Sequence, residues 1–243
     1  MNDYLLAAVL GIIEGLTEFL PVSSTAHLRI AEALLGIDLR NGYWKMFTIV
    51  IQLGAILCLP VYFRKRIAEF LASFPRGRKG DRTWLTHPLS LTLIAFAVTA
   101  GPSLALVKII GKHLESLVVM GTSLVVGGVV MWVVDGVFGA SRPGRAFRTE
   151  AIEQMSLPQA VWIGACQILS AVFPGTSRSM ATIAGGQVAG MTRASALEFS
   201  FFLSMPTMAA ATAYDLYKSV VPHGDMNPLG VTHSDAHGWT LLA

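Results

Sequence analysis

Residues 14 to 27 read Glu-Gly-Leu-Thr-Glu-Phe-Leu-Pro-Val-Ser-Ser-Thr-Ala-His. Glu14 and Glu18 are four apart, so on a helix they share one face a single turn apart. Pro21 stops that helix, because it lacks an N–H and biases the residue before it away from the α region. Ser23, Ser24 and Thr25 follow the break as helix-capping candidates, with His27 just beyond. Carboxylates, hydroxyls and an imidazole at this spacing can hold a divalent ion, orient a base or activate a hydroxyl nucleophile. Apolar residues flank the stretch on both sides, Leu5 to Ile13 before it and Ile30 to Leu35 after it. Ionisable groups in such a setting mark a functional site.

A second break reads Pro174-Gly-Thr-Ser-Arg-Ser-Met-Ala-Thr182. Gly175 permits a tight turn and Ser177 can cap the limb that follows, putting Arg178 and Thr182 on one helical face. Free N–H groups at a helix start and a guanidinium fork both suit phosphate. Two acids, a histidine, several hydroxyls and this arginine together fit phosphoryl-group hydrolysis, in which arginine neutralises charge on the phosphate oxygens. Arg193 and Glu198, at the start of the next apolar stretch, fit either an interfacial ion pair or part of the site.

The elements that must carry these breaks are apolar. The chain has 243 residues, 53% hydrophobic and 14% charged, and its mean hydropathy is +0.58. Stretches 46–63, 83–107, 117–134, 154–177 and 199–214 hold no charged residue, the length that a bilayer core demands. These features exclude an ordinary soluble domain and predict an all-α integral membrane protein, a polytopic helix bundle forming one transmembrane domain over 1–243. The net charge of +3 is then a topology signal and not a nucleic-acid footprint. Arg64, Lys65, Arg66, Arg76, Arg78, Lys79 and Arg82 mark 64–82 as a cytoplasmic loop. Gly111, Lys112 and His113 would then sit in an external turn, and Arg142, Arg145 and Arg148 in a second cytoplasmic loop. Cys58 and Cys166 lie inside apolar stretches and say nothing of a disulfide framework. Asp3 and Glu14 argue against a cleaved signal peptide.

Laid on itself with a shift of 153, the chain pairs Gly11 with Gly164, Glu14 with Gln167, Thr17 with Ser170, Pro21 with Pro174 and Ser24 with Ser177. A shift of 152 pairs Phe47-Thr48 with Phe199-Ser200 and Tyr62 with Tyr214. The expectation is two inverted-topology repeats, about 4–138 and 158–243, each with a re-entrant helix–break–helix hairpin. The first copy runs on through two spans whose counterparts would begin near 238, so the chain is expected to stop about two spans short.

The two motifs, together with Glu198-Phe-Ser-Phe, resemble the undecaprenyl-diphosphate phosphatase family, the bacitracin-resistance type, over 4–219. The resemblance implies hydrolysis of undecaprenyl diphosphate to the monophosphate, recycling the lipid carrier of peptidoglycan precursors. It implies a bacterial plasma-membrane enzyme whose site opens to the outer face, with a polyprenyl diphosphate as its partner and room for a homodimer. It also implies a divalent cation, Mg2+ or Ca2+, held by Glu14 and Glu18. Ser24 is the implied nucleophile and His27 its base, with Glu18 alternatively orienting His27. Ser177, Arg178, Ser179 and Thr182 would hold the diphosphate, with Ser23 and Thr25 beside them. An inverted-repeat transporter or flippase for a lipid phosphate is the rival reading. The hydroxyl cluster and His27 beside Glu18 weigh against it, since binding alone needs neither.

Overall fold

The computed structural model describes residues 2–38, 42–77, 79–110, 116–139 and 149–220. The expected external turn at 111–113, the arginines at 142, 145 and 148, Arg78, and the chain end near 238 lie outside the described residues. The described residues form nine α-helices and no strand longer than an isolated bridge, which meets the all-α expectation. The helices are α1 Asp3–Thr17, α2 Ser24–Leu34, α3 Gly42–Tyr62, α4 Arg64–Ser73, α5 Pro88–Ile110, α6 Leu117–Phe138, α7 Leu157–Val172, α8 Arg178–Val188 and α9 Arg193–Val220.

Among the described residues, two helices are long and apolar enough to cross a membrane, at Pro88–Leu106 and Leu117–Phe138, and a third span results if the bent pair α3–α4 counts as one. The chain turns by 62° at that bend. The basic 64–82 stretch is therefore not all loop. Its first part is α4, and Arg66 on α4 pairs with Glu153 and Glu198 (2.5 and 2.9 Å). Arg193 pairs instead with Asp135 of α6, which also accepts from Gln187 Nε2. Arg193 and Glu198 thus tie α9 to two different neighbours and not to each other.

Each break is followed by a short helix of the same build. Both α2 and α8 have 11 residues and a serine N-cap: Ser23 accepts from Ala26 N, and Ser177 from Met180 N. Both end on a left-handed glycine, Gly36 (φ +72°) and Gly190 (φ +87°). In each, the glycine N–H bonds two residues behind the cap and the next N–H bonds three behind it. These are Gly36 to Ala33 and Ile37 to Glu32, then Gly190 to Gln187 and Met191 to Gly186. This is the Schellman arrangement, and the apolar residue after each glycine, Ile37 or Met191, is buried. The matched caps put Ser23 opposite Ser177, a shift of 154 where the preceding prolines differ by 153. The second break is therefore one residue longer, and the structural partner of Ser24 is Arg178, not Ser177.

Two apolar cores hold the breaks in place. One gathers Leu6, Leu10, Leu28, Ile37, Trp44 and Phe47 from α1 to α3. The other is built on Leu91, Ile163, Ile183, Phe199 and Leu203 from α5 and α7 to α9. Gly164 allows α7 to approach α5 closely, since a Cβ there would stand 2.5 Å from Ala95 O. Thr99 Oγ1 bonds across this contact to Gly164 O (2.8 Å).

Candidate active site

The two breaks meet. Ser179 Oγ donates to Leu20 O across them (2.9 Å), and Ser177 and Ser179 share a hydrogen bond (3.0 Å). Between the breaks lies Glu18, buried to 6% exposure. Ser24 Oγ donates to Glu18 Oε2 at 2.5 Å, and Arg178 Nη2 donates to Glu18 Oε1 at 2.9 Å. Ser24 and Arg178 are the first residues of α2 and α8, so one carboxylate joins the starts of two capped helices. Their partial positive ends add to the arginine and favour an anion between them.

Glu14 lies beside Glu18, with Ser24 and Arg178 in range. It is 1% exposed, and neither of its oxygens has a hydrogen-bond partner among the described residues. Arg178 Nη1 is also buried and unpartnered. A buried unpartnered carboxylate costs free energy until a proton or a cation matches it. Glu14 therefore fits a divalent ion by its chemistry, whereas Glu18 beside it already has both oxygens engaged by Ser24 and Arg178. Among the described residues no group of three or more His, Cys, Asp or Glu gathers at one point. Such an ion would take its other oxygens from water and substrate phosphate, as Mg2+ commonly does.

His27 is held elsewhere. Its Nδ1 donates to Ser23 O (2.9 Å), the same carbonyl that accepts from His27 N (3.2 Å). That bond leaves Nε2 as the acceptor nitrogen. Glu18, with both oxygens engaged by Ser24 and Arg178, does not orient the ring. The imidazole lines a cavity of about 320 Å3 with Pro21, Gly175, Ser177 and Met180. Ser23 sits at φ +62°, a region costing about 1–3 kcal/mol for a residue with a side chain. That conformation turns its carbonyl to the ring while its hydroxyl caps α2.

Three sequence candidates fall outside the cluster. Thr25 is exposed. Thr182 is fully buried, bonding back to Arg178 O (3.0 Å) and sharing a hydrogen bond with Ser200 of α9 (2.7 Å). Ser179 serves to clamp the breaks. Sequence reasoning passed over Met180 and Ser123, which line the cavity beside His27. Neither carries a chemical signature that would single it out.

A sequence model of the family described as bacitracin resistance protein BacA matches residues 7–242. The chain belongs to this family. A curated undecaprenyl-diphosphatase from Koribacter versatilis (strain Ellin345) is 64% identical, aligned over 100% of this chain and 84% of its own length. Another from Methylococcus capsulatus is 38% identical over 100% of this chain and 85% of its own. The undecaprenyl-diphosphatase from Caldanaerobacter subterraneus is 40% identical over 88% and 74%. These BacA-family relatives agree with the family expected from the two motifs.

The second break depends on Gly175. Its φ is +84°, and a Cβ there would lie 2.7 Å from Met120 Cα and 2.8 Å from Met120 O. Gly175→Ala is expected to cost about 1–2 kcal/mol from the backbone alone, and more from displacing α6. Thermal unfolding in detergent should show a lowered midpoint; an unchanged midpoint would mean that the break can re-form without the glycine.

Proposed function

We propose that this chain is an undecaprenyl-diphosphate phosphatase, releasing inorganic phosphate and leaving undecaprenyl monophosphate. The observation that carries this reading is the Ser24–Glu18–Arg178 chain of hydrogen bonds, buried between two helix starts, with a free arginine nitrogen and a free acid beside it. A site that only bound a lipid phosphate would not need a hydroxyl already sharing its proton with a carboxylate.

In this reading Ser24 Oγ attacks the terminal phosphorus while its proton passes to Glu18. The bond from that phosphorus to the bridging oxygen breaks, and the lipid monophosphate leaves as an anion. Arg178 Nη1 and the N–H groups opening α2 and α8 take up charge on the terminal oxygens. Water then attacks the phosphoserine, giving one proton to His27 Nε2 as phosphate departs, and Glu18 returns the serine proton. A divalent ion held by Glu14 and Glu18, when bound, supplies further charge neutralisation at the diphosphate.

Phosphate release from the purified protein tests the reading. Ser24→Ala is expected to abolish turnover. Arg178→Lys keeps the charge but loses the fork, and should cost about ten- to a hundredfold in kcat/KM with near-normal expression. Wild-type turnover in either variant would overturn the assignment, and lipid-phosphate binding without release would favour the transporter.

The ion is tested separately. If both acids are ligands, Glu14→Gln and Glu18→Gln should each shift the metal midpoint upward, Glu18→Gln also losing rate through Ser24. Unchanged midpoints in both variants would remove the metal from this pair.

The matched caps of α2 and α8 support reading the two halves as inverted-topology repeats, with breaks that enter the bilayer from opposite sides. The basic 64–82 segment then lies in the cytoplasm of a bacterial cell, with the site opening to the outer face. With Cys58 and Cys166 replaced by alanine, a cysteine at the exposed Lys79 should resist a membrane-impermeant thiol reagent in intact cells. Efficient labelling there would reverse the topology.

A further inference from the structure

A second, larger cavity adjoins the one that His27 lines. It is a groove of about 660 Å3 between α6, α7 and α8, sharing Ser123, Gly127 and Met180 with the His27 cavity. On α6 its wall is a stripe of every fourth residue from Val118 through Thr122, Val126 and Val130 to Val134. That stripe is roughly 24 Å long at 1.5 Å per residue, most of an apolar bilayer core of about 30 Å. Its hydroxyl-bearing residues, Thr122, Ser123 and Thr176, lie toward the break, while Val130, Val134, Ala184 and Val188 line the remainder. The indole N–H of Trp162 is satisfied by Gly185 O (3.1 Å) and offers the groove no free donor.

An occupant must therefore be apolar for most of its length and polar at the end that meets the helix starts. We infer that this groove seats the first isoprene units of the substrate's polyprenyl chain, the part joined to the diphosphate. The inference rests on the phosphatase reading, and it makes the groove, not the reacting cluster, the feature that selects a long lipid over a short diphosphate. Continuity with the His27 cavity gives the direction. The head lies toward Ser177, the cap that precedes Arg178, the chain passes Met180 and Gly127, then runs along α8 toward Val188. Met180 is the gate of that path. It is 7% exposed, and its Cε would stand 3.2 Å from a Cβ on Gly127. A flexible thioether there can yield to a branched chain.

The test fills the groove without touching the reacting cluster. Val130 lines it and is 41% exposed; Val129, 55% exposed on the same helix, does not line it. Val130→Trp is expected to raise KM for undecaprenyl diphosphate at least about tenfold, leaving dimethylallyl diphosphate, with one isoprene unit, unchanged. Val129→Trp should change neither. Equal effects on both substrates, or none on the long one, overturn the proposal.

A binding arm stands apart from catalysis. A photoreactive polyprenyl monophosphate should label peptides of α6 or α8 in the wild-type protein, be displaced by unlabelled undecaprenyl phosphate, and lose its label in Val130→Trp. Label confined to α3 or α9, or insensitive to the tryptophan, overturns the groove. If Val130→Trp instead lowers the oligomer mass with labelling intact, a second copy covers the groove and the inference fails. Loss of phosphate release from every substrate by the wild-type protein, with groove labelling intact, overturns the phosphatase reading and leaves the lipid site standing.

Discussion

A carboxylate buried between two helix breaks has to be matched, and everything around Glu18 follows from how that is done. Arg178 neutralises it from one half of the chain and Ser24 bonds it from the other. A buried charge stripped of its partner costs about 3–5 kcal/mol, so the contact that joins Glu18 to Arg178 also holds the two breaks together. Ser179 bonding to Leu20 O adds an uncharged tie at the same level. Stability and reactivity are therefore not separable at this point. A substitution that releases Glu18 from Arg178 would also loosen the contact that keeps it near Ser24.

The surrounding packing serves to bring two helix starts this close. Gly175 lets the second break lie against the α6 backbone, and Gly164 lets α7 lie against α5. The Schellman ends of α2 and α8 then turn each short limb into its following helix, α3 or α9, through a buried apolar residue. With both ends of each limb capped, 11 residues are enough for a defined helix. An isolated helix of that length in water would be marginal.

Much of the site was legible because its chemistry is expensive. Glu14, Glu18, Ser24 and Arg178 stand out in apolar sequence, and the structure brings all four together. What was not legible depends on direction. The orientation of His27 follows from the positive φ of Ser23, which no residue type announces, so the sequence left open whether Glu18 or another group holds the ring. Thr25 offered itself as a cap beside Ser23 and Ser24, and the cap falls on Ser23; Thr182 lies one turn from Arg178 as the spacing predicts, with its hydroxyl shared with Ser200 of α9. The basic run at 64–82 read as a loop because its charges are dense. The acids that draw Arg66 into the fold, Glu153 and Glu198, lie far along the chain and give no local sign. Among the five uncharged stretches, length and hydropathy single out two spans, and a third across a bend. Of the others, 154–177 holds α7, 16 residues long, and 199–214 lies within α9, 28 residues that begin at Arg193 and contain Pro206.

The extra residue in the second break has a consequence for how many reactions one chain can run. Two limbs with the same caps and length could in principle build two equivalent centres. The extra residue lies before the cap, so the break from Pro174 to Ser177 delivers an arginine at the helix start where Pro21 to Ser23 delivers a serine. Gln167 likewise stands where Glu14 stands in the first half. One limb therefore contributes a serine and the other an arginine to the same carboxylate. Two limbs of one build thus form a single asymmetric cluster in each polypeptide, where two identical limbs would have formed a symmetric pair.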